Sequence, residues 1–209
     1  MPWIEKFRPK TLDDIIHQEH IVNLLKNVKE SGNLQHMLFY GPAGTGKTST
    51  ILAFCNEIFT RDIFKDRVKL LNASNERGIN VVRNNIIRFA KMKINSRGPP
   101  YKIIILDEAD SMTHDAQTAL RRTIEEYSHI TRFCFICNYE SKIIDAIKSR
   151  CSVYRFEPLP KVEMKNKLKK ICDLEKVKID DKSSDFLLEI SKGDMLSLIH
   201  ISEPTRRTP

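Results

Sequence analysis

Between about residues 20 and 157 the apolar positions switch repeatedly between two spacings. Ile21, Leu24, Leu25 and Val28 recur at helical intervals, Thr48 to Phe59 reads as a second helix, and Ile79, Val82, Ile86 and Phe89 mark the inner stripe of a third. Between these stand short apolar runs at His36 to Tyr40 and Val68 to Leu71, which predict strands. Lys102 to Asp107 is almost wholly aliphatic, the pattern of a central strand covered on both faces of a parallel sheet. Thr113 or Asp115 opens the next helix, and strands near 132 to 137 and 153 to 156 complete the series. Strands alternating with helices predict an α/β fold with a parallel sheet.

The alternation stops at Phe156-Glu157-Pro158-Leu159-Pro160, where two prolines interrupt it. Two amphipathic helices, 161 to 174 and 181 to 191, follow without further strands. The expected organisation is therefore an α/β domain over residues 1–157 and a partial helical lid domain over 158–195. Asn95 to Pro100 is a surface loop by its breakers, and no internal repeat is found. After Met195 the text LSLIHISEPTRRTP leaves the preceding pattern. Residues 196–209 are expected to be a non-native tail, because LIHISEPTRR resembles an adapter-derived translation; an alternatively spliced tail is the competing explanation.

Composition narrows the picture only a little. A net charge of +8 suits a polyanionic partner, but a solvated helix face yields the same number. No stretch approaches the ~18 to 20 consecutive apolar residues of a membrane span, and the N-terminus lacks a signal peptide's apolar core, so an intracellular chain is expected. Five scattered cysteines fit a reducing compartment. Cys134 and Cys137 form a CxxC, but a separation of three along a strand sends the thiols to opposite faces, which argues against zinc or redox use. The histidines show no ligand spacing.

The chemistry is concentrated at three strand ends. Gly41-Pro42-Ala43-Gly44-Thr45-Gly46-Lys47-Thr48 satisfies G-x-x-x-x-G-K-[ST] directly after a strand and before a helix. In that setting backbone N–H groups and the helix N-terminus hold phosphates, Lys47 reaches the β and γ phosphates, and Thr48 holds Mg2+. Ile103 to Asp110 ends a buried strand with adjacent carboxylates. Asp107 is expected to bind Mg2+ through water and Glu108 to polarise the attacking water. Asn138 ends the next strand and would stand beside the phosphate loop. By themselves a strand-end asparagine is usually a turn former, and Arg150, in Ser149-Arg150-Cys151, is one of 35 basic residues.

Together these motifs resemble the AAA+ ATPases. More narrowly, Pro2 to Met195 is similar to the small subunits of replication factor C, the eukaryotic sliding-clamp loader. The resemblance rests on Pro2-Trp3-Ile4-Glu5-Lys6-Phe7-Arg8-Pro9, Leu38-Phe39-Tyr40-Gly41-Pro42, Leu71-Asn72-Ala73-Ser74-Asn75-Glu76-Arg77-Gly78, Asp107-Glu108-Ala109-Asp110-Ser111-Met112, Ala119-Leu120-Arg121-Arg122-Thr123, Cys137-Asn138-Tyr139 and Ser149-Arg150-Cys151. Among those subunits it is most similar to the subunit 4 type of animals and plants, the subunit 2 type of yeast.

The resemblance implies an AAA+ P-loop fold with ATP and Mg2+ as cofactors. Ile4 and Arg8 become nucleotide contacts, Asn138 the sensor 1 residue, and Arg150 an arginine finger acting in trans on a neighbouring subunit's ATP. It also implies a heteropentamer with other replication factor C subunits, a sliding clamp and primer-template DNA as partners, and a nuclear location. Arg83 and Thr113, near the starts of two central helices, are the DNA-backbone candidates. The sequence departs from the family at Asn75, where aspartate is usual. It departs again after Gly193-Asp194-Met195, where the family places a sensor 2 arginine pair and then a collar domain. The implied function is an ATP-hydrolysing clamp-loader subunit, active in the assembled complex in DNA replication and repair. A nonhydrolysing structural ring subunit would be expected to carry a degenerate phosphate loop, and another AAA+ DNA-associated motor a different N-terminal box.

Overall fold

The computed structural model describes residues 2–74, 79–94 and 98–203, with the side chains of 79–83 outside the description. Five strands, β1 (His36–Tyr40), β2 (Val68–Asn72), β3 (Lys102–Asp107), β4 (Thr131–Cys137) and β5 (Cys151–Arg155), form one sheet in the order β2-β3-β4-β1-β5. Every pairing in it is parallel. Parallel strands cannot be joined by tight hairpins, so the helices cross over and cover both faces.

The period of two along each strand sorts the core into two layers. Met37 and Phe39 pack with Ile103, Ile105, Cys134 and Ile136 on one face. Against them lie α2 (Glu19–Ser31), through Ile21, Val22 and Leu25, and α3 (Lys47–Ile58), through Ile51 and Phe54. The opposite face holds Leu38, Ile104, Leu106, Phe133, Phe135 and Cys137. It is covered by α5 (Ile79–Lys91), through Ile86 and Phe89, and α6 (His114–Tyr127), through Leu120 and Ile124. Each fully buried side chain of this size contributes about 1.5–3 kcal/mol, so the interdigitated strand residues dominate the stability. Cys134 and Cys137 fall in different layers, on opposite faces of the sheet.

Local signals set the ends of these elements. Helix α2 stops at Gly32, whose φ of 68° places it in the left-handed region that ends many helices. Thr113 caps α6 by accepting the Ala116 N–H at 3.3 Å. Leu24, expected on the inner stripe of α2, instead stands 37% exposed, because the core-facing side is formed by Ile21, Val22 and Leu25. A short helix, α4 (Arg61–Arg67), stands where the periodicity gave no signal, with Ile63 and Phe64 packed against the first core layer.

The lid is a separate cluster. It comprises α8 (Lys161–Glu175), α9 (Asp181–Ile190) and α10 (Met195–Ser202), the short helices α1 (Trp3–Lys6) and α7 (Asp145–Lys148) belonging to the N-terminal segment and to the turn before β5. Met164, Leu168, Ile171, Cys172 and Leu188 make its core. Past residue 195 the chain continues as α10, capped by Asp194, with Leu198 and Ile199 buried in the lid core beside Trp3. The Trp3 N–H donates to the Glu203 carboxylate at 3.3 Å, joining the N-terminal segment to the end of α10. Gln18 and Glu157 pin the base of the lid: the Gln18 amide donates to the Glu157 carbonyl at 2.8 Å and accepts the Glu157 N–H at 3.3 Å. Among the described residues no helix is long and apolar enough to cross a membrane.

Candidate functional site

The strand order brings the three motif-bearing strand ends together. Because β4 lies between β3 and β1, with Tyr40 opposite Cys137, the chain leaves β1 into the phosphate loop at the level where Asn138 leaves β4. On the far side of β3, Asn72 stands opposite Asp107. The site therefore lies at the carboxyl edge of the sheet, where open α/β folds place their ligands.

The phosphate loop needs its glycines for two separate reasons. Gly41, Gly44 and Gly46 have φ values of 142°, 72° and 95°, which other residues adopt only with strain. Space adds a second constraint. A Cβ on Gly41 would lie 2.3 Å from the Phe156 carbonyl oxygen, and one on Gly44 would lie 1.9 Å from an Asp194 carboxylate oxygen. The lid thus touches the loop at Gly44.

Lys47 begins α3 and is 7% exposed. Its amine donates to the carbonyls of Gly41 and Pro42, each at 2.7 Å, and to Asn138 Oδ1 at 3.0 Å. Burial pushes its pKa below the ordinary lysine range, and the acids Asp107, Asp110 and Asp194 pull it back. Thr48 Oγ1 donates to Asp107 Oδ2 at 2.8 Å. Thr45 donates its hydroxyl to the Pro42 carbonyl at 2.9 Å and so closes the loop on itself.

Glu108 is exposed and has a φ of 52°, the left-handed conformation that costs a non-glycine residue about 1 kcal/mol or more. Its N–H donates to Asp107 Oδ1 at 2.9 Å, its carbonyl accepts the Ser111 hydroxyl at 2.7 Å, and its carboxylate accepts from the Asn72 amide at 3.2 Å. Asp110 accepts the backbone N–H groups of Asn138 and Tyr139 at 3.1 and 3.3 Å, fixing the end of β4 against β3.

A cavity of about 330 Å³ opens between this edge, the N-terminal segment and the lid. Ile4, Arg8, Ala43 to Thr48, Asp107, Glu108 and Asn138 line it, so most residues singled out in the sequence converge there. Gly41 and Pro42 are not in its wall and act through their carbonyls on Lys47. Arg8 is paired with Glu5 at 2.9 Å. Phe7, Ile15, Ile16, Leu159, Met195 and Ile199 make one end apolar; the last three join the wall only when the lid docks, which no local sequence pattern marks. Leu196 lines the cavity close to the phosphate loop's lid contact, at a position just after Met195.

Arg150 is elsewhere. It does not line the cavity, and it lies at the end of α7 with its guanidinium on the Ala146 carbonyl at 2.6 Å and on the Glu125 carboxylate. Thr113 is occupied as the cap of α6. The side chain of Arg83, on α5, and the whole of Asn75 lie outside the described residues.

The cavity thus joins an apolar end to an end built of a lysine, backbone donors and two hard oxygens 2.8 Å apart. That donor set fits a nucleotide with its phosphates and a hard divalent cation. Residues 17–160 match the family described as DNA polymerase III, delta subunit. Replication factor C subunit 2 of Saccharomyces cerevisiae is 52% identical over 203 residues, which cover 93% of this chain and 58% of that protein. Replication factor C subunit 4 of Arabidopsis thaliana is 49% identical, covering 98% and 63%, and subunit 4 of Homo sapiens is 49% identical, covering 99% and 59%. The chain therefore spans between 58% and 63% of the length of these relatives. Among solved structures, a single-substitution mutant of Thermotoga maritima RuvB superposes with a TM-score of 0.74 at 19% identity, covering 94% of this chain and 64% of that one. At that identity the likeness speaks to the fold alone. Because the family match spans most of the chain and the relatives are about half identical to it over nearly its whole length, the chain belongs to the AAA+ clamp-loader family, and within it to the small subunits of replication factor C.

Proposed function

We propose that this chain carries the MgATP-binding and ATP-hydrolysing module of a replication factor C small subunit, which uses ATP to load a sliding clamp onto primer-template DNA in the nucleus during replication and repair. The observation that carries the reading is the convergence of Lys47, Thr48, Asp107 and Asn138 at the ends of three adjacent strands, with contacts of 2.8 and 3.0 Å among them. Lys47 neutralises the β and γ phosphates, the loop N–H groups and the α3 N-terminus hold them, and the apolar end takes the adenine against Ile4. Thr48 and Asp107 would hold Mg2+, which when bound neutralises phosphate charge. Glu108, exposed at the mouth and steadied by Asn72, polarises the attacking water, and Asn138 orients that water or the terminal phosphate.

Arg150 serves a different site. Its place outside its own cavity suits a finger offered to ATP on a neighbouring subunit of a five-membered ring. DNA is held through backbone phosphates by the starts of α5 and α6, with Arg83 and Thr113 as the contacts. The test is DNA- and clamp-stimulated ATP turnover by a five-subunit loader containing this chain, with Glu108→Gln compared with the parent. Retained ATP and clamp binding with lost turnover supports hydrolysis at this site. Unchanged turnover would make the chain a structural member of the ring.

A further inference from the structure

Lys167 is the one charged residue that the lid contributes to the cavity wall among the described residues; the others are Leu159, Met195, Leu196 and Ile199. It stands in the middle of α8, three residues after Met164 and four before Ile171, both 1% exposed in the lid core. That spacing sets it on the flank of the buried stripe, the side that meets the cavity. Its neighbours two residues away face another direction: Lys165 is paired with Asp185 at 2.6 Å and Lys169 with Asp181 at 2.7 Å on α9. Lys167 has no hydrogen-bond or ion-pair partner among the described residues. Burial pushes its pKa down and Lys170 adds to this, while the Asp14 carboxylate offsets part of it from beyond ion-pair distance. A partly buried amine on a cavity wall with no protein acceptor is left to water, and an acceptor on the cavity's occupant can take that water's place.

Its electrostatic surroundings say which part of the occupant that is. Lys47 sits among Asp107, Asp110 and Asp194, at the phosphate end. Lys167 instead feels Asp14, which is anchored by the N–H groups of Lys10 and Thr11 at 3.2 and 3.0 Å, immediately before the apolar wall residues Ile15 and Ile16. We propose that Lys167 is a nucleotide-contacting residue whose amine donates to an acceptor of the nucleoside, a base ring nitrogen or a ribose oxygen, and so fastens α8 of the lid to the bound nucleotide. The inference rests on the nucleotide reading of the cavity given above.

The test compares MgATP and MgADP affinity, by calorimetric titration of the whole chain, for the parent, Lys167→Met, Lys167→Arg and Lys47→Met. Far-ultraviolet circular dichroism verifies that each is folded. Lys167→Met is expected to weaken ATP and ADP by the same factor, about tenfold for one charge-assisted hydrogen bond, and Lys167→Arg to recover most of it. At saturating ADP the parent should protect α8 amides from hydrogen exchange, and Lys167→Met should not. A larger loss for ATP than for ADP would place Lys167 on the phosphates and overturn the assignment. Unchanged affinities in Lys167→Met, with Lys47→Met impaired, would reduce Lys167 to a bystander. Failure of the parent to bind either nucleotide, or indifference to Lys47→Met, would instead sink the nucleotide reading itself.

Discussion

The Thr48 hydroxyl donates to the Asp107 carboxylate across 2.8 Å, joining the first turn of α3 to the end of β3 although 59 residues separate them in sequence. Asp107 has a second contact, its other oxygen accepting the Glu108 N–H at 2.9 Å. One carboxylate thus orients the helix that carries the phosphate loop and the backbone of the adjacent acid. A hydroxyl and a carboxylate oxygen so placed form the hard-oxygen pair that Mg2+ takes in phosphate-loop sites.

Asp107→Asn keeps the size and an acceptor but removes the charge. Folding should survive, while the gain in ATP affinity on adding Mg2+ should fall by about tenfold or more, judged from the losses seen when ligands of bound metals are perturbed. Titrations with ATP in Mg2+ and in excess chelator check it, and an undiminished Mg2+ effect would remove Asp107 from the metal site.

Gly44 and Gly46 separate backbone strain from lid contact. Gly46→Ala meets only Thr50 Oγ1 at 4.0 Å, so its cost should be the left-handed conformation alone, about 1–2 kcal/mol. Gly44→Ala adds a Cβ 1.9 Å from Asp194 Oδ1 and 2.7 Å from its Cα, backbone that cannot swing aside. It should therefore cost more than Gly46→Ala in urea unfolding and should raise proteolytic sensitivity in α10. Equal costs would mean that the lid does not rest on the loop.

What the sequence could reveal here follows from the range of each signal. Lys102 to Asp107 was legible because a strand covered on both faces must be aliphatic throughout, and the helix expected at Thr48 to Phe59 is observed at Lys47–Ile58 because the loop's lysine begins it. Helix α4 was not legible: seven residues with five charges give no period, and its place depends on Ile63 and Phe64 meeting a core assembled from distant strands. For the same reason the motifs marked only the part of the cavity wall built by the strand ends, whereas Leu159, Lys167 and Ile199 join that wall only through docking of the lid.

Lys102 is 1% exposed, and its amine donates to the carbonyls of Phe89, Ala90 and Met92 at 2.5, 3.0 and 2.5 Å, closing the end of α5. Lys102→Met leaves those carbonyls without their donor and should cost about 1–3 kcal/mol near neutral pH. Burial lowers the pKa to about 8 from a lysine's ordinary 10.5, so between those values the unfolded chain holds a proton that the folded one has released. Stability from this group must then rise with pH over that window. Urea unfolding of parent and variant from about pH 7 to 10 should show their difference widening, and a constant difference would contradict the shift.

The thiols should be inert while the fold persists. Burial drives Cys137 and Cys151 up to about 12 and raises Cys55 and Cys134 further, so little thiolate exists at neutral pH. Iodoacetamide at about pH 8 should label these four slowly in the native chain, and all five cysteines of the sequence quickly in denaturant, by intact-mass measurement. Rapid native labelling of Cys134 and Cys137 together would contradict their burial in opposite layers of the sheet.

Arg150 tests whether one chain completes another's site. Its contact with Glu125 is exposed, both side chains being more than a third accessible, and pairs of that kind contribute at most about 1 kcal/mol. Arg150→Ala should therefore leave the stability of this chain and its own ATP affinity nearly unchanged, since the residue does not line the cavity. In a five-subunit loader it should instead lower ATP turnover at the neighbouring site by about 10³-fold or more, the range associated with losing an arginine finger. The two measurements must diverge: a parallel fall in this chain's own ATP affinity would mean that Arg150 serves its own cavity, and unchanged turnover would deny it a role in trans.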